Sequence, residues 1–302
     1  FDYSINGIHI KKIVFMVQGE NTTVILYQVN CRGERPFAPT LTVRVMVAFR
    51  DYHWLTHENQ AFKADYKNLT NGGVCLQPYE KQSSMFLFHN AQTMDKASFW
   101  YKNMEYPKEI ERGLESHEDH FSPFAMHFDL NKGMDCYVVA TTKEYDKLDV
   151  FELLNKESDR RKGIHSNDKL FGMVHPHPNL PPSRGKEFSG LPVYEFPSPG
   201  GSGIEAGGDK LLQLCESLLS VSDSFIVKRE SDKKSIIAGY HWFGDWGRDT
   251  MISLPGLTLV QGRFEDAREI LLSYAQYVSK GMIPNRFPDY GETPEYNTVD
   301  AS

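Results

Sequence analysis

Leu41-Thr42-Val43-Arg44-Val45-Met46-Val47-Ala48-Phe49 places a large apolar residue at every odd position. Side chains alternate across a β-strand, so this spacing predicts an extended segment with one strongly buried face. Working outward, Ile8 to Val17 and Thr23 to Val29 are rich in β-branched residues. Met85 to His89, Ala97 to Tyr101, Phe124 to Leu130 and Cys136 to Thr141 continue the same pattern. Asn6-Gly7, Gly19-Glu20-Asn21 and Asn71-Gly72-Gly73 supply turn chemistry between them. Many short strands with turn signals predict an antiparallel β-sandwich over residues 1 to about 142. Phe1 to Ile5 reads as the middle of a strand, and no signal peptide is visible.

The period then changes. Lys143 to Lys162 is charged and helical in pattern, with Tyr145, Leu148, Phe151, Leu153 and Leu154 as its apolar stripe. Residues 172–208 hold 7 Pro and 8 Gly, a composition that predicts a linker or insertion rather than a packed element. The His175-Pro176-His177 alternation has no carboxylate or thiol partner nearby, so no metal site is expected there. Lys210 to Ser222 carries Leu211, Leu214, Cys215, Leu218 and Leu219 at helical spacing. A hairpin of Phe225–Val227 and Ile236–Ala238 follows, joined by the charged turn Glu230 to Lys234. Thr250 to Val260 is a candidate buried helix bent by Pro255. Phe264 to Ser279 is the clearest helix, with Phe264, Ala267, Ile270, Leu271, Tyr274, Ala275 and Val278 on one face. Gly281 and Pro284 close it.

The balance of 33 Lys+Arg against 40 Asp+Glu gives a net charge of -7, which argues against a nucleic-acid partner. The mean hydropathy is -0.47, and no apolar run has the length of a membrane helix. Cys31, Cys75, Cys136 and Cys215 are widely spaced without a Cys-x-x-Cys pair, as reduced thiols of a cytoplasmic protein would be. No P-loop, Gly-x-Gly-x-x-Gly, His-Glu-x-x-His or Gly-x-Ser-x-Gly motif occurs, which weighs against phosphoryl transfer, a Rossmann cofactor and a serine hydrolase.

Chemistry concentrates in three places. Gly239-Tyr240-His241-Trp242-Phe243-Gly244-Asp245-Trp246-Gly247-Arg248-Asp249-Thr250 packs aromatic rings, an Asp pair and an Arg between glycines. Such a mixture suits a polyol pocket, where rings stack on sugars and planar Arg and Asp groups read vicinal hydroxyls. It equally suits a Trp-rich corner of a core with Asp249 as a helix cap. Gly281 to Asp300 offers the carboxylates Asp289, Glu292, Glu295 and Asp300. Glycoside hydrolysis needs two opposed carboxyl groups, but spacing does not say which pair would face across a bond. Ala48-Phe49-Arg50-Asp51-Tyr52-His53-Trp54 ends the best strand. It reads as a structural hydrogen-bond network at a domain interface, with Trp100 to Pro107 and Arg112 to Asp119 as a polar rim.

Three blocks resemble the bacterial and archaeal glycogen debranching enzymes, which are amylo-α-1,6-glucosidases: Trp242 to Thr250, Gly281 to Phe287, and Tyr296 to Ala301. Val47 to His53 and Glu105 to Asp119 resemble blocks of that family's N-terminal domain. The resemblance implies a β + α multidomain protein, with a β-sandwich at 1–165, a linker or insertion at 166–208, and the first helices of an (α/α)6 toroid at 209–302. It also implies hydrolysis of α-1,6-linked glucose stubs at trimmed glycogen branches, by an inverting acid/base mechanism without metal or organic cofactor. By the resemblance, Arg248 and Asp249 of Trp246-Gly247-Arg248-Asp249 belong to the Trp/Arg-Asp type of motif that grips the terminal glucose, and Trp246, Asn285, Asn297 and Asp300 fall in the neighbouring blocks. The partner implied is glycogen or a branched α-glucan, with neither nucleic acid nor membrane involved. By the same resemblance some N-terminal strands precede Phe1, the toroid and its catalytic acid and base continue beyond Ser302, and residues 1–302 alone are inactive. A glucoamylase- or trehalase-like enzyme and a non-catalytic glucan-binding module are the alternatives.

Overall fold

The computed structural model describes residues 1–5, 7–31, 39–132, 134–164, 205–229, 233–240, 242–288 and 293–297. Most of the Pro/Gly-rich stretch, together with Asp289, Glu292 and Asp300, lies outside the described residues. The chain divides into two units, Phe1–Glu157 and Ser158–Ser302.

The first unit is built of antiparallel strands. β1 (Asp2–Ile5), β2 (Ile8–Met16), β3 (Thr22–Cys31), β5 (Tyr66–Asn68), β6 (Gly73–Leu76), β7 (Met85–His89) and β10 (Cys136–Thr141) form one sheet in the order β1-β2-β3-β10-β7-β6-β5. β4 (Thr40–Arg44), β8 (Thr93–Glu105) and β9 (His117–Asp129) form a second, in the order β4-β9-β8. A short helix α1 (Pro107–Glu111) joins β8 to β9. The tight β2–β3 turn uses Gly19 at φ 76, a left-handed conformation that glycine adopts without steric cost. The sheets close on one apolar core. Ile8, Val74, Leu76, Leu87 and Val138 of the larger sheet meet Phe124, Met126 and Phe128 of β9, and Leu41 and Val43 of β4 pack against them. That is the layering of a β-sandwich.

The segment that decided the fold behaves as its spacing predicts, with one correction. Its ladder to β9 ends at Arg44, opposite Ala125. The next pairing is Val47 with Phe121, so β9 contributes one extra residue in between. This bulge ends regular pairing, yet the odd residues Val45, Val47 and Phe49 still turn to apolar neighbours. β8 is far longer than its predicted core of Ala97 to Tyr101. Two register shifts interrupt it, with Ser98 at φ 49 and Asn103 at φ 56, and each destroys the alternation a reader would follow.

The predicted helix at Lys143 begins later, as α2 (Val150–Ile164). The Asp149 carboxylate accepts from the backbone N–H groups of Phe151 and Glu152, both at 3.0 Å, and so sets the start. Tyr145 and Leu148 reach the core ahead of the helix, while Phe151 faces solvent.

The second unit contains α3 (Glu205–Phe225), β11 (Ile226–Lys228), β12 (Lys234–Gly239), β13 (Phe243–Asp245), α4 (Gly247–Leu257) and α5 (Phe264–Ala275). The strands form a sheet in the order β11-β12-β13. Ile226, Ile236, Leu254, Ala267, Ile270, Tyr274 and Phe287 make its core. α3 starts within the stretch predicted as linker, and α5 stops at Ala275 rather than Ser279. Only part of each predicted apolar stripe is buried: Leu219, Ala267, Ile270 and Tyr274 are, whereas Leu214, Leu218, Phe264, Leu271 and Val278 are exposed. Among the described residues no helix is long and apolar enough to cross a membrane.

Candidate functional site

β13 delivers the chain to Trp246, which stands at the N-cap of α4 in extended conformation (φ -112°, ψ 132°). Gly247 opens the helix, and here a glycine is required. A Cβ on Gly247 would lie well inside contact with the Pro284 carbonyl oxygen, and 3.3 Å from Asn285 Cα. The backbone N–H of Gly247 instead donates to the carbonyl of Asn285 at 2.8 Å. Close approach of the two backbones therefore docks the loop after α5 onto the start of α4.

That loop is cross-linked in turn. Asn285 N donates to the Glu295 carbonyl at 2.7 Å, and Glu295 N donates to the Arg286 carbonyl at 3.0 Å. Asn285 Oδ1 accepts from the backbone N–H of Arg248 at 3.4 Å, while its Nδ2 donates to Asn297 Oδ1 at 2.8 Å. The Arg286 guanidinium lies 5.9 Å from the Trp246 ring centroid and pairs with Glu295 at 3.2 Å. Beneath, Thr250 is wholly buried: its hydroxyl donates to the Ile236 carbonyl at 3.2 Å and lies 3.0 Å from the Tyr274 hydroxyl. Burial pushes the Tyr274 hydroxyl up to about 12, so it stays a neutral donor. Arg229 pairs with Asp245 and lies 4.1 Å from the Phe287 ring centroid, tying β11 to β13 and to the loop.

Five of the six residues singled out for sugar contact, Trp246, Arg248, Asp249, Asn285 and Asn297, thus meet around the first turn of α4; Asp300 lies outside the described residues. Arg248 and Asp249 are exposed. The expectation that Asp249 caps the helix is corrected, because Trp246 occupies the cap position and Asp249 is the third helical residue. The Asp249 carboxylate has no hydrogen-bond partner among the described residues, which leaves its acceptors open to a ligand. The Glu295 carboxylate is occupied by Arg286. Sequence reasoning missed the partnership of Arg286 with both Trp246 and Glu295, since neither spacing has a periodic signature.

The Arg50 block also assembles a network, centred on the fully buried Glu118 of β9. Arg50 Nε and Nη2 donate to its two oxygens, both at 3.0 Å. The Thr56 N–H donates to it at 3.2 Å, the Tyr106 hydroxyl donates to it, and His120 Nε2 lies at 2.9 Å. Burial disfavours its charge, but these partners, Arg50 first, outweigh burial and hold the carboxyl down at about 2. The Tyr106 hydroxyl is pushed up to about 12 by burial and by that carboxylate. Asp119 accepts from the backbone N–H groups of Glu58 and Asn103, both at 2.9 Å. The second β8 bulge at Asn103 therefore serves this network.

Comparison with known proteins agrees with both halves of the chain. Residues 1–137 match the family profile described as glycogen debranching enzyme N terminal, and residues 220–302 match that of amylo-alpha-1,6-glucosidase. The chain belongs to the glycogen debranching enzyme family. Both the α4–loop assembly and the Glu118 network fall inside residues matched to that family. A glycogen debranching enzyme of Saccharomyces cerevisiae is 46% identical over 57 residues, which take in 19% of this chain and 4% of the yeast protein. The match thus spans a small part of that relative's length.

Proposed function

We propose that the chain acts in glycogen debranching, and that the first turn of α4 with the loop 281–297 grips the terminal glucose of an α-1,6-linked stub. The observation that carries this reading is the exposed Arg248–Asp249 pair at a helix start docked rigidly through Gly247 and Asn285. Consecutive helical residues point about 100° apart, so both can line a pocket mouth without neutralising each other. Arg248 donates to sugar hydroxyls and Asp249 accepts from them. Trp246, Asn285 and Asn297 complete the wall.

Hydrolysis in this reading is inverting. A carboxylic acid protonates the glycosidic oxygen, a carboxylate deprotonates a water on the opposite face, and the water's oxygen bonds to the anomeric carbon as the branch leaves as an alcohol. Neither Asp249, which holds the sugar, nor Glu295, which holds Arg286, is assigned to those two roles. In this reading the setting is an (α/α)6 toroid of the bacterial and archaeal type, working without metal or organic cofactor. Cys75, Cys136 and Cys215 are unpaired, which fits a reducing, cytoplasmic setting.

The test is binding of a maltooligosaccharide bearing one α-1,6 glucose, by calorimetry, and glucose release from branched limit dextrin. Tighter binding of the branched than the linear sugar, lost in Asp249→Asn, is expected. Equal affinity of wild type and Asp249→Asn overturns the assignment.

A further inference from the structure

Residues 50–58 form neither helix nor strand, yet their backbone is held at many points. The Arg50 guanidinium that clasps Glu118 also donates through Nη1 to the carbonyls of Asp51 and Tyr52, both at 3.2 Å. Asp51 closes the tip of the loop: its Oδ1 accepts from His53 N at 2.7 Å and its carbonyl from Trp54 N at 3.1 Å. Further along, Thr56 N donates to Glu118, Glu58 N donates to Asp119, and Asp119 N donates to the Thr56 carbonyl at 2.8 Å. Two consecutive carboxylates of β9 thus pin both limbs of the loop.

What this scaffold displays is aromatic. Trp54 is 71% exposed and Tyr52 41%, and the Tyr52 and His53 rings lie 3.9 Å apart. Burying a charge such as Glu118 is costly, and an apolar core does not need it. Here the charge orders a loop that presents rings to solvent. The surroundings are polar: Arg50, Asp51, Thr56, His57, Glu58 and Asn59 accompany the rings. The exposed indole of Trp54 beside these hydrogen-bonding groups suits the apolar face and hydroxyl rim of a pyranose.

We propose that the 51–54 turn is a glucan-binding point of the first unit, in which the Trp54 ring stacks on an internal run of α-linked glucose, with Arg50 and Glu118 as positioning residues. The inference rests on the reading that the chain's polymer is an α-glucan. It places a contact on the polymer's body in addition to the grip on its end at Arg248 and Asp249.

The experiment is electrophoresis through gels containing glycogen, with cellulose-type β-glucan as the control polymer and melting temperature measured alongside. Trp54→Ala, at an exposed position, is expected to keep its melting temperature and to weaken glycogen retention about tenfold, as the loss of one aromatic stacking plate would. Trp54→Phe should recover most of the loss. If Trp54→Ala is retained like wild type while Asp249→Asn is not, the inference fails and the proposed function stands. If wild type itself is not retained by glycogen, both fail. If Trp54→Ala leaves retention unchanged but dissolves a dimer seen by light scattering, the turn is a protein interface and the inference is overturned.

Discussion

Replacing Gly247 with alanine should unseat the α4 site, and the same helix provides its own control. The added methyl meets the Pro284 carbonyl, whose carbon would stand 3.1 Å away, with Asn285 Cα at 3.3 Å. Both contacts are backbone, and Pro284 is buried, so no side chain can swing aside. Restoring ordinary van der Waals separation requires the loop to retreat by roughly 1 Å. Overpacking of this kind costs about 1–3 kcal/mol. The retreat also weakens the 2.8 Å bond from Gly247 N to Asn285, a further ~0.5–1.5 kcal/mol. Alanine's better helix propensity returns up to ~1 kcal/mol. The net expectation is a second unit destabilised by about 1–3 kcal/mol, with weakened binding of branched maltooligosaccharide. At Gly256, near the other end of α4, a Cβ would meet nothing within 4 Å. Gly256→Ala should therefore stabilise by roughly 0.5–1 kcal/mol. Amide hydrogen exchange reads both effects, because the slowest amides of α5 report unfolding of the unit that contains them. Equal protection in Gly247→Ala and wild type, or a loss in Gly256→Ala, would refute the close-approach argument.

Asp249→Asn should lower affinity for the branched sugar by about one to two orders of magnitude, since a charge-assisted bond contributes ~1.5–3 kcal/mol; the melting temperature should barely move, and a fall in it without a loss of affinity would return Asp249 to a structural role. Tyr274→Phe removes a hydroxyl from a buried trio with Thr250 and Ser235, 3.0 and 3.4 Å away, and should cost the second unit about 0.5–1.5 kcal/mol by urea titration. The Glu118 carboxyl is held near 2 in the folded chain, below its ordinary value of 4.5. Its depressed folded value means that its stabilisation is complete above about pH 4.5 and is lost as the pH falls towards 2. Acid titration of the first unit should show this loss in wild type and a flatter profile in Glu118→Gln, and parallel profiles would contradict the network.

The first unit was legible wherever alternation is unbroken. Met85–His89 and Cys136–Thr141 are strands over the residues that the pattern marks, because both are central and packed on the core. The pattern fails where the backbone inserts a residue. Ser98 and Asn103 each turn left-handed and shift register, so β8 hid its outer two thirds. β5, β6 and β13 are three or four residues long, too short for a period of two to register. In the second unit the helical spacing of Leu214, Leu218, Phe264 and Leu271 was genuine, but spacing reports a face and not what covers it.

The two polar assemblies show why composition marked one more readily than the other. Around α4 the informative residues are contiguous, Trp246 to Thr250, and their partners Asn285 and Asn297 come from a loop that is itself dense in polar and aromatic residues. A reader of the sequence can place such residues together without knowing the register. The Glu118 network depends instead on Arg50, Thr56, Tyr106 and His120, which come together only through β9 pairing with β8 and the 50–58 loop returning across Asp119. Nothing local distinguishes the buried Glu118 from the exposed Glu115 three residues earlier. Yet both assemblies work in one way. Buried or backbone groups take up the rigid connections, Gly247 with Asn285 in one and Glu118 with Arg50 in the other, and the side chains left facing solvent, Asp249 and Trp54, are those suited to a sugar. In the proposed reading Asp249 and Trp54 meet the sugar because folded contacts hold their backbone while leaving the side chains exposed, a combination that composition does not record.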